Sequence, residues 1–197
     1  MNNESLPKNY FKKHPLEEFS AARFADLSIR LVHADDLNAN IDQMLLPRIE
    51  SGRRADISRQ KSEIEELDSP EEIVAYMRKA PDLFFYPLLC KKALTMPDDV
   101  IPLILKRYTT TFQDHFIEIA VRILGNADRK FTFDLLELYP KIRNPYARSM
   151  ACLLFGEQRL EESVTLLLSE VERFEKQFPD QSHAQGPLLA LWLMFGD

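Results

Sequence analysis

The sequence predicts an all-α protein in which antiparallel helix pairs stack on one another. Apolar residues recur at helical spacing along almost the whole chain after Leu16. Proline, serine or acidic residues mark helix starts throughout this region. The 197 residues include 5 glycines, which argues against glycine-dependent hairpins, Rossmann turns and phosphate-binding loops.

The first 60 residues predict an N-terminal helical cap followed by a polar linker. We expect helices over residues 16–32 and 35–49, packed on the first repeat, because a terminal repeat needs a polar outer cover. Residues 51–68 are highly polar and are predicted to be a linker, with a short charged helix over 57–67. The chain therefore divides into two regions: residues 1–60, the cap and linker, and residues 61–197, the helical-repeat domain.

Four helix pairs are predicted in the repeat domain. The first begins at Ser69-Pro70-Glu71-Glu72, where serine is a helix cap, proline takes the first helical position and Glu72 completes a capping box. The first helices of the pairs are predicted over residues 71–79, 98–108, 130–139 and 160–178, and the second helices over residues 83–94, 112–124, 145–155 and 186–195.

Three of the second helices end alike. The endings are Ile123-Leu124-Gly125-Asn126, Leu154-Phe155-Gly156-Glu157 and Met194-Phe195-Gly196-Asp197. Glycine at such a position is typical of a left-handed helix cap. Ala120 and Ala151 each precede their glycine by five positions, and we predict that both are buried where pairs meet.

These segments resemble a known repeat. Asp98-Asp99-Val100-Ile101-Pro102, together with Ala120-Val121-Arg122-Ile123-Leu124-Gly125, is similar to the short HEAT-like repeats of about 30 residues. The resemblance covers about two thirds of the chain. It implies an α-solenoid that acts as a scaffold or binding surface, without naming the partner.

Composition argues against several classes of protein. The net charge of −6 disfavours nucleic acid or an anionic membrane as the main partner. No apolar run approaches the roughly 20 residues that a membrane-spanning helix needs, and residues 1–15 lack the apolar stretch of a secretory signal. We therefore expect a cytoplasmic protein that does not enter a membrane.

The sequence predicts no catalytic, metal or cofactor site. No two of the four histidines have the i, i+3 or i+4 spacing that pairs ligands on a helix. Cys90 and Cys152 lie in apolar segments and are predicted to be core residues. Adjacent acidic residues fall mostly in first helical turns, where they complement the helix dipole. A non-enzymatic role is favoured, and the question of an enzyme stays open.

Charge patterning suggests a binding surface in the middle of the chain. Residues 91–148 carry 10 basic and 7 acidic residues between more acidic flanks. Lys92 and Arg122 occupy the same position in two second helices, and Arg148 lies on a nearby face of a third. We predict that these three residues form a basic stripe for an acidic peptide or a phosphate backbone.

The last helix is apolar on every side over residues 187–195. A helix of this kind is normally buried all round, yet it ends the stack. We predict that Leu189, Trp192 and Leu193 form the interface of a symmetric homodimer. The alternative is that the preceding helix, residues 160–178, and its loop cover the outer side.

Three functions follow from this reading. The leading hypothesis is a non-enzymatic scaffold or adaptor that binds another protein. The first alternative is a HEAT-like nucleic-acid binder that uses the basic stripe. The second is an enzyme or helper that handles a small ligand, as the HEAT-like phycobilin lyases do by resemblance.

Overall fold

A computed structural model describes residues 6–7, 9–16, 51–82 and 85–196 of the chain. Within these ranges the secondary structure is helical, with no strand. The predicted helices over 16–32 and 35–49 lie outside the described residues. Three 3-10 turns occur at Tyr139–Lys141, Glu161–Ser163 and Ser182–Ala184. The α-helices are α1 Tyr10–Lys13, α2 Ser51–Glu66, α3 Pro70–Met77, α4 Tyr86–Ala93, α5 Pro97–Tyr108, α6 Asp114–Asn126, α7 Lys130–Leu138, α8 Pro145–Glu157, α9 Val164–Gln177 and α10 Gln185–Phe195.

Side-chain caps set the starts of two of these helices. The Ser69 hydroxyl accepts a hydrogen bond from the backbone N–H of Glu72 at 3.3 Å, with Pro70 at the first helical position. The Glu72 carboxylate accepts from the N–H of Asp68, one residue before the cap. Asn144 begins α8 in the same way, since its side chain accepts from the N–H of Tyr146. Each cap satisfies a donor that the helix itself leaves unpaired.

Helix α2 covers most of the segment predicted to be a polar linker and includes most of the charged helix predicted over 57–67. Ile57 and Ile64 lie two turns apart on one face and are 2% and 0% exposed. The Tyr76 hydroxyl donates to Glu63 at 3.2 Å, and α2 also contacts α4. The predicted boundary at residue 60 thus falls inside a helix that shares the core. The charged helix predicted over 57–67 is thus present in a longer form, and its two buried isoleucines suffice to dock a helix whose other faces are charged.

The helices from α3 onward contact each other in two rows. Helix α3 contacts α5 and α5 contacts α7, while α4, α6, α8 and α10 contact in succession. The two helices of every predicted pair also touch. Ala120 and Ala151 are fully buried in α6 and α8, as predicted. One hydrophobic cluster runs from Ile57 to Leu191.

The repeated glycines do not act as left-handed caps. No described glycine has a positive φ, and α6 continues through Gly125 to Asn126. Gly156 lies inside α8 and faces Ala190 of α10 so closely that a Cβ atom would overlap the Ala190 backbone. This glycine therefore serves close packing of α8 against α10.

A different residue ends α8. Arg159 has a φ of 48°, and its N–H donates to the carbonyl oxygen of Gly156 at 3.0 Å. The N–H of Leu160 donates to the carbonyl oxygen of Phe155 at 2.9 Å. These two bonds form a Schellman motif, and both apolar residues that flank it are fully buried. Arginine occupies the position where glycine is usual.

The described part of the N-terminal region lies at the C-terminal end of the stack. His14 Nδ1 is 2.8 Å from Glu175 Oε1 in α9, and the Gln185 side chain donates to the carbonyl oxygen of Pro15 at 3.4 Å. Tyr10 and Phe11 are partly buried against the core. The predicted cap on the first repeat concerns the helices over 16–32 and 35–49, which lie outside the described residues. Contacts between residues 161 positions apart leave no periodic signal in a sequence.

Candidate functional site

The three basic residues of the predicted stripe each contact an internal acceptor. Lys92 is half-buried, and its ammonium group donates to the carbonyl oxygen of Glu65 in α2 at 2.8 Å. This bond ties α4 to the last turn of α2. A basic group at a helix C-terminus is favourable because the last carbonyl groups are unpaired. Lys92 thus helps to dock the helix that the sequence predicted to be a linker.

Arg122 is 5% exposed and is the centre of a polar chain across three second helices. Its guanidinium donates to the backbone oxygen of Glu118 at 2.9 Å and lies 5.1 Å from the ring centre of Tyr86 in α4. The Tyr146 hydroxyl of α8 donates to the Glu118 carboxylate at 2.8 Å. Burial and the Glu118 charge raise the pKa of Tyr86. The chain of contacts joins α4, α6 and α8.

Arg148 forms an ion pair with Glu170 of α9. Two guanidinium nitrogens bind the two carboxylate oxygens at 2.6 and 3.2 Å, and the side chains are 12% and 5% exposed. Arg148 also donates to the carbonyl oxygens of Tyr139 and Ile142 and lies 4.2 Å from the Tyr139 ring centre. This bidentate pair attaches α9 to α8, and the two carbonyl bonds attach α8 to the turn before it. Arg148 is thereby committed to internal contacts.

The two cysteines are buried thiols. The Tyr139 hydroxyl lies 3.2 Å from the Cys152 sulfur. Burial raises the pKa of Cys152 to about 12, and it does the same for Cys90. A thiol in this state is protonated at neutral pH and is a poor nucleophile. Among the described residues, no group of three or more His, Cys, Asp or Glu side chains is arranged to hold a metal ion.

The arrangement can now be compared with known proteins. No protein-family model, curated protein sequence or solved structure matches this chain. Its function is therefore inferred from the surfaces of its helices.

The acidic partners of the basic stripe were missed at the sequence level. Glu118 and Arg122 are an i, i+4 pair of opposite charge within an apolar helix, which was a readable signal. Glu170 lies 22 residues from Arg148 and leaves no local signal. Tyr86 and Tyr146 were also missed, because a tyrosine in a helix gives no hint of which charge it will contact.

The predicted dimer residues are divided between the core and the surface. Leu189 is 3% exposed and is buried where α10 packs on α8 and α9, so it is not available to a partner. Trp192 is 42% exposed and Leu193 is half-buried. Phe195, three residues after Trp192 and 39% exposed, belongs to the same outer surface.

None of the described helices is long and apolar enough to cross a membrane.

Proposed function

We propose that this chain is a non-enzymatic helical-repeat scaffold that binds another protein, built as an α-solenoid of the HEAT-like type. The observation that carries the proposal is the pair of helix rows, α3–α5–α7 and α4–α6–α8–α10, in which each helix contacts the next of its row. Stacked pairs bury a continuous core and extend their outer surface with every added pair. Such a surface suits recognition of an extended partner.

The contacts of the basic stripe favour protein over nucleic acid as the partner. Phosphate binding requires exposed lysine and arginine groups that displace counterions. Arg122 and Arg148 are instead bonded to Glu118 and Glu170, and Lys92 is bonded to a backbone oxygen. The small-ligand alternative has less support, because Lys92, Arg122 and Arg148 are each bonded to other groups of the chain. The stripe is better explained as part of the scaffold.

A homodimer through the last helix is a second element of the proposal. Trp192 and Phe195 present two large exposed rings on the last helix of the stack. Exposed aromatic residues of this kind are enriched at protein interfaces. The proposed interface consists of Trp192, Leu193 and Phe195, with Leu189 beneath it in the core.

Selection from a displayed peptide library tests the scaffold proposal. The full chain is immobilised, and phage carrying random 16-residue peptides are enriched over several rounds. We expect a sequence family that binds in solution and that protects backbone amides of the helix pairs from hydrogen exchange. Failure to enrich any family, with an unrelated peptide-binding domain succeeding in parallel, would refute the proposal. Binding confined to residues 9–16 would also contradict it.

A further inference from the structure

Three successive turns, together with the last turn of α5, bring six basic residues to one edge of the stack. These turns join the two helices of a pair, between α3 and α4, between α5 and α6, and between α7 and α8. They touch one another: His115 Nε2 is 3.3 Å from the carbonyl oxygen of Arg78, and the Asn144 side chain donates to the carbonyl oxygen of Thr111 at 3.4 Å. We call the following residues the basic edge: Arg78, Lys79, Lys106, Arg107, Lys141 and Arg143.

The basic edge reverses the charge of the molecule locally. The three turns with their flanking helix ends, residues 78–82, 106–114 and 139–144, also contain Asp82 and Asp114, so these segments carry a net charge of +4 in a chain of net charge −6. Asp82 is already bonded to the Gln60 side chain. None of the six basic residues forms an ion pair with another described residue, in contrast to Lys130, which binds Asp98 at 2.7 Å. Five of the six are exposed, and Arg107 is half-buried.

Helix capping accounts for only part of this pattern. A basic residue in the last turn of a helix gains about 0.3–1 kcal/mol from the helix dipole, which explains Lys106 and Arg107 in α5. Lys141 ends the 3-10 turn that continues α7 and shares in this effect, whereas Arg143 lies beyond it, next to the N-cap of α8. Phe112 stands among them with its side chain in water, at 70% exposure. Exposed aromatic and arginine side chains are enriched at protein interfaces, and this edge presents Phe112 together with Arg78 and Arg143.

We propose that the basic edge binds a short acidic segment of a partner protein, with Phe112 as its apolar contact. This inference rests on the proposed scaffold function and names the chemistry of its partner. Packed helices are about 8–10 Å apart, so three turns span about 20 Å. An extended peptide covers that length with about six residues. Alternating carboxylates would meet each basic turn in succession.

A nucleic acid fits the same edge less well. Outside the three turns the chain carries a net charge of −10, which repels a long polyanion within about 8 Å at physiological ionic strength. Binding of single strands also uses successive aromatic rings on which bases stack. Among the described residues of this edge, Phe112 is the one exposed phenylalanine. A short acidic segment whose length matches the edge avoids the repulsive surroundings.

Fluorescence anisotropy tests the inference with two probes. One is a labelled ten-residue peptide with four glutamates on each side of a central Trp-Leu, and the other is a labelled oligothymidylate of twelve nucleotides. We expect the full chain to bind the peptide more tightly than the oligonucleotide, and the peptide to bind less tightly as salt rises from about 50 to about 200 mM. Tighter binding of the oligonucleotide would overturn the proposal.

Matched variants locate the binding surface. Lys106→Glu/Arg107→Glu and Lys141→Glu/Arg143→Glu each reverse one basic turn, and each should weaken peptide binding about tenfold. The second variant changes exposed residues alone, so it keeps the test valid if the first fails to fold. Arg53→Glu/Lys176→Glu makes the same charge change on exposed positions elsewhere and should alter binding less than about twofold.

Phe112→Ala separates specific docking from general charge attraction. We expect this substitution to weaken peptide binding about threefold and to leave the salt dependence of binding unchanged. The proposal would be overturned if the edge variants and the Arg53→Glu/Lys176→Glu control weakened peptide binding equally. It would also be overturned if both edge variants bound the peptide as tightly as the unaltered protein. Peptides from the display selection that bind Lys141→Glu/Arg143→Glu normally would leave the scaffold function standing and exclude this edge as its binding surface.

Discussion

Substitution of Gly156 by alanine isolates the energy of the close contact between α8 and α10. In an ordinary helix interior alanine is favoured over glycine by about 1 kcal/mol. Here the added Cβ would overlap the backbone of Ala190, so the two helices have to separate. Overpacking of this kind costs about 1–3 kcal/mol, and an overlap with backbone lies at the upper end because no side chain can rotate away. We expect a net loss of about 1–2 kcal/mol.

Urea unfolding followed by circular dichroism measures this loss. In a separate thermal melt, a loss of about 1–2 kcal/mol corresponds to a melting temperature lower by about 2–8 °C for a chain of this size. Gly52→Ala is the matched control, since its Cβ would meet nothing within 4 Å in α2, and it should raise stability slightly. If Gly156→Ala is as stable as the unaltered protein, the close packing at this crossing is refuted.

A double variant sharpens the interpretation. Ala190→Gly removes the Ala190 Cβ but leaves the Cα atom that the new methyl group also meets. Combined with Gly156→Ala, it should therefore restore part of the lost stability, giving a favourable coupling energy of about 0.5–1 kcal/mol. If the changes in the free energy of unfolding were strictly additive, residues 156 and 190 would not be in steric conflict in the Gly156→Ala variant.

Three further variants and one measurement on the unaltered protein have defined outcomes. Arg159→Gly should stabilise the chain by about 0.5–1 kcal/mol, since it relieves a left-handed backbone, and a lower urea midpoint would contradict this. Glu170→Ala should cost about 3 kcal/mol in the same assay because it leaves a buried guanidinium unpaired. Trp192→Glu/Phe195→Glu should remain folded and convert a dimer to a monomer in sedimentation, whereas a monomeric parent at tens of micromolar would end the dimer proposal. The Cys152 thiol should resist a disulfide reagent at pH 8, and because its folded pKa of about 12 exceeds the unfolded value, stability should fall as pH rises from about 9 to 12.

Local patterns predicted the helices well. Capping residues and apolar spacing placed both helices of all four pairs within a few residues of their bounds, because these signals act over one or two turns. The burial of Ala120 and Ala151 also followed from their shared position in the repeat. The all-helical class was therefore readable, whereas the HEAT-like solenoid stays a proposal.

Features that depend on distant partners were not readable. The sequence correctly singled out Gly156 but for the wrong reason. Glycine is required there because α10 approaches closely, and not because the backbone is left-handed. Either requirement selects glycine, so the sequence alone could not distinguish them. Arg122 and Arg148 were identified as basic but not as buried, because burial depends on whether an acid such as Glu170 arrives from another helix. Helix α2 was misjudged since its two core isoleucines are outnumbered by charges.

The contact between the N-terminal segment and α9 changes how the stack comes apart. A linear array of helix pairs frays from its ends, since the last pair has a single neighbour. Here His14 and Glu175 close a loop that spans most of the chain, and closing it costs entropy that grows only slowly with its length. The last pair thus gains a second neighbour from the opposite end of the sequence. Unzipping from α10 then requires release of residues 9–16, which links the two ends of the chain in one cooperative unit.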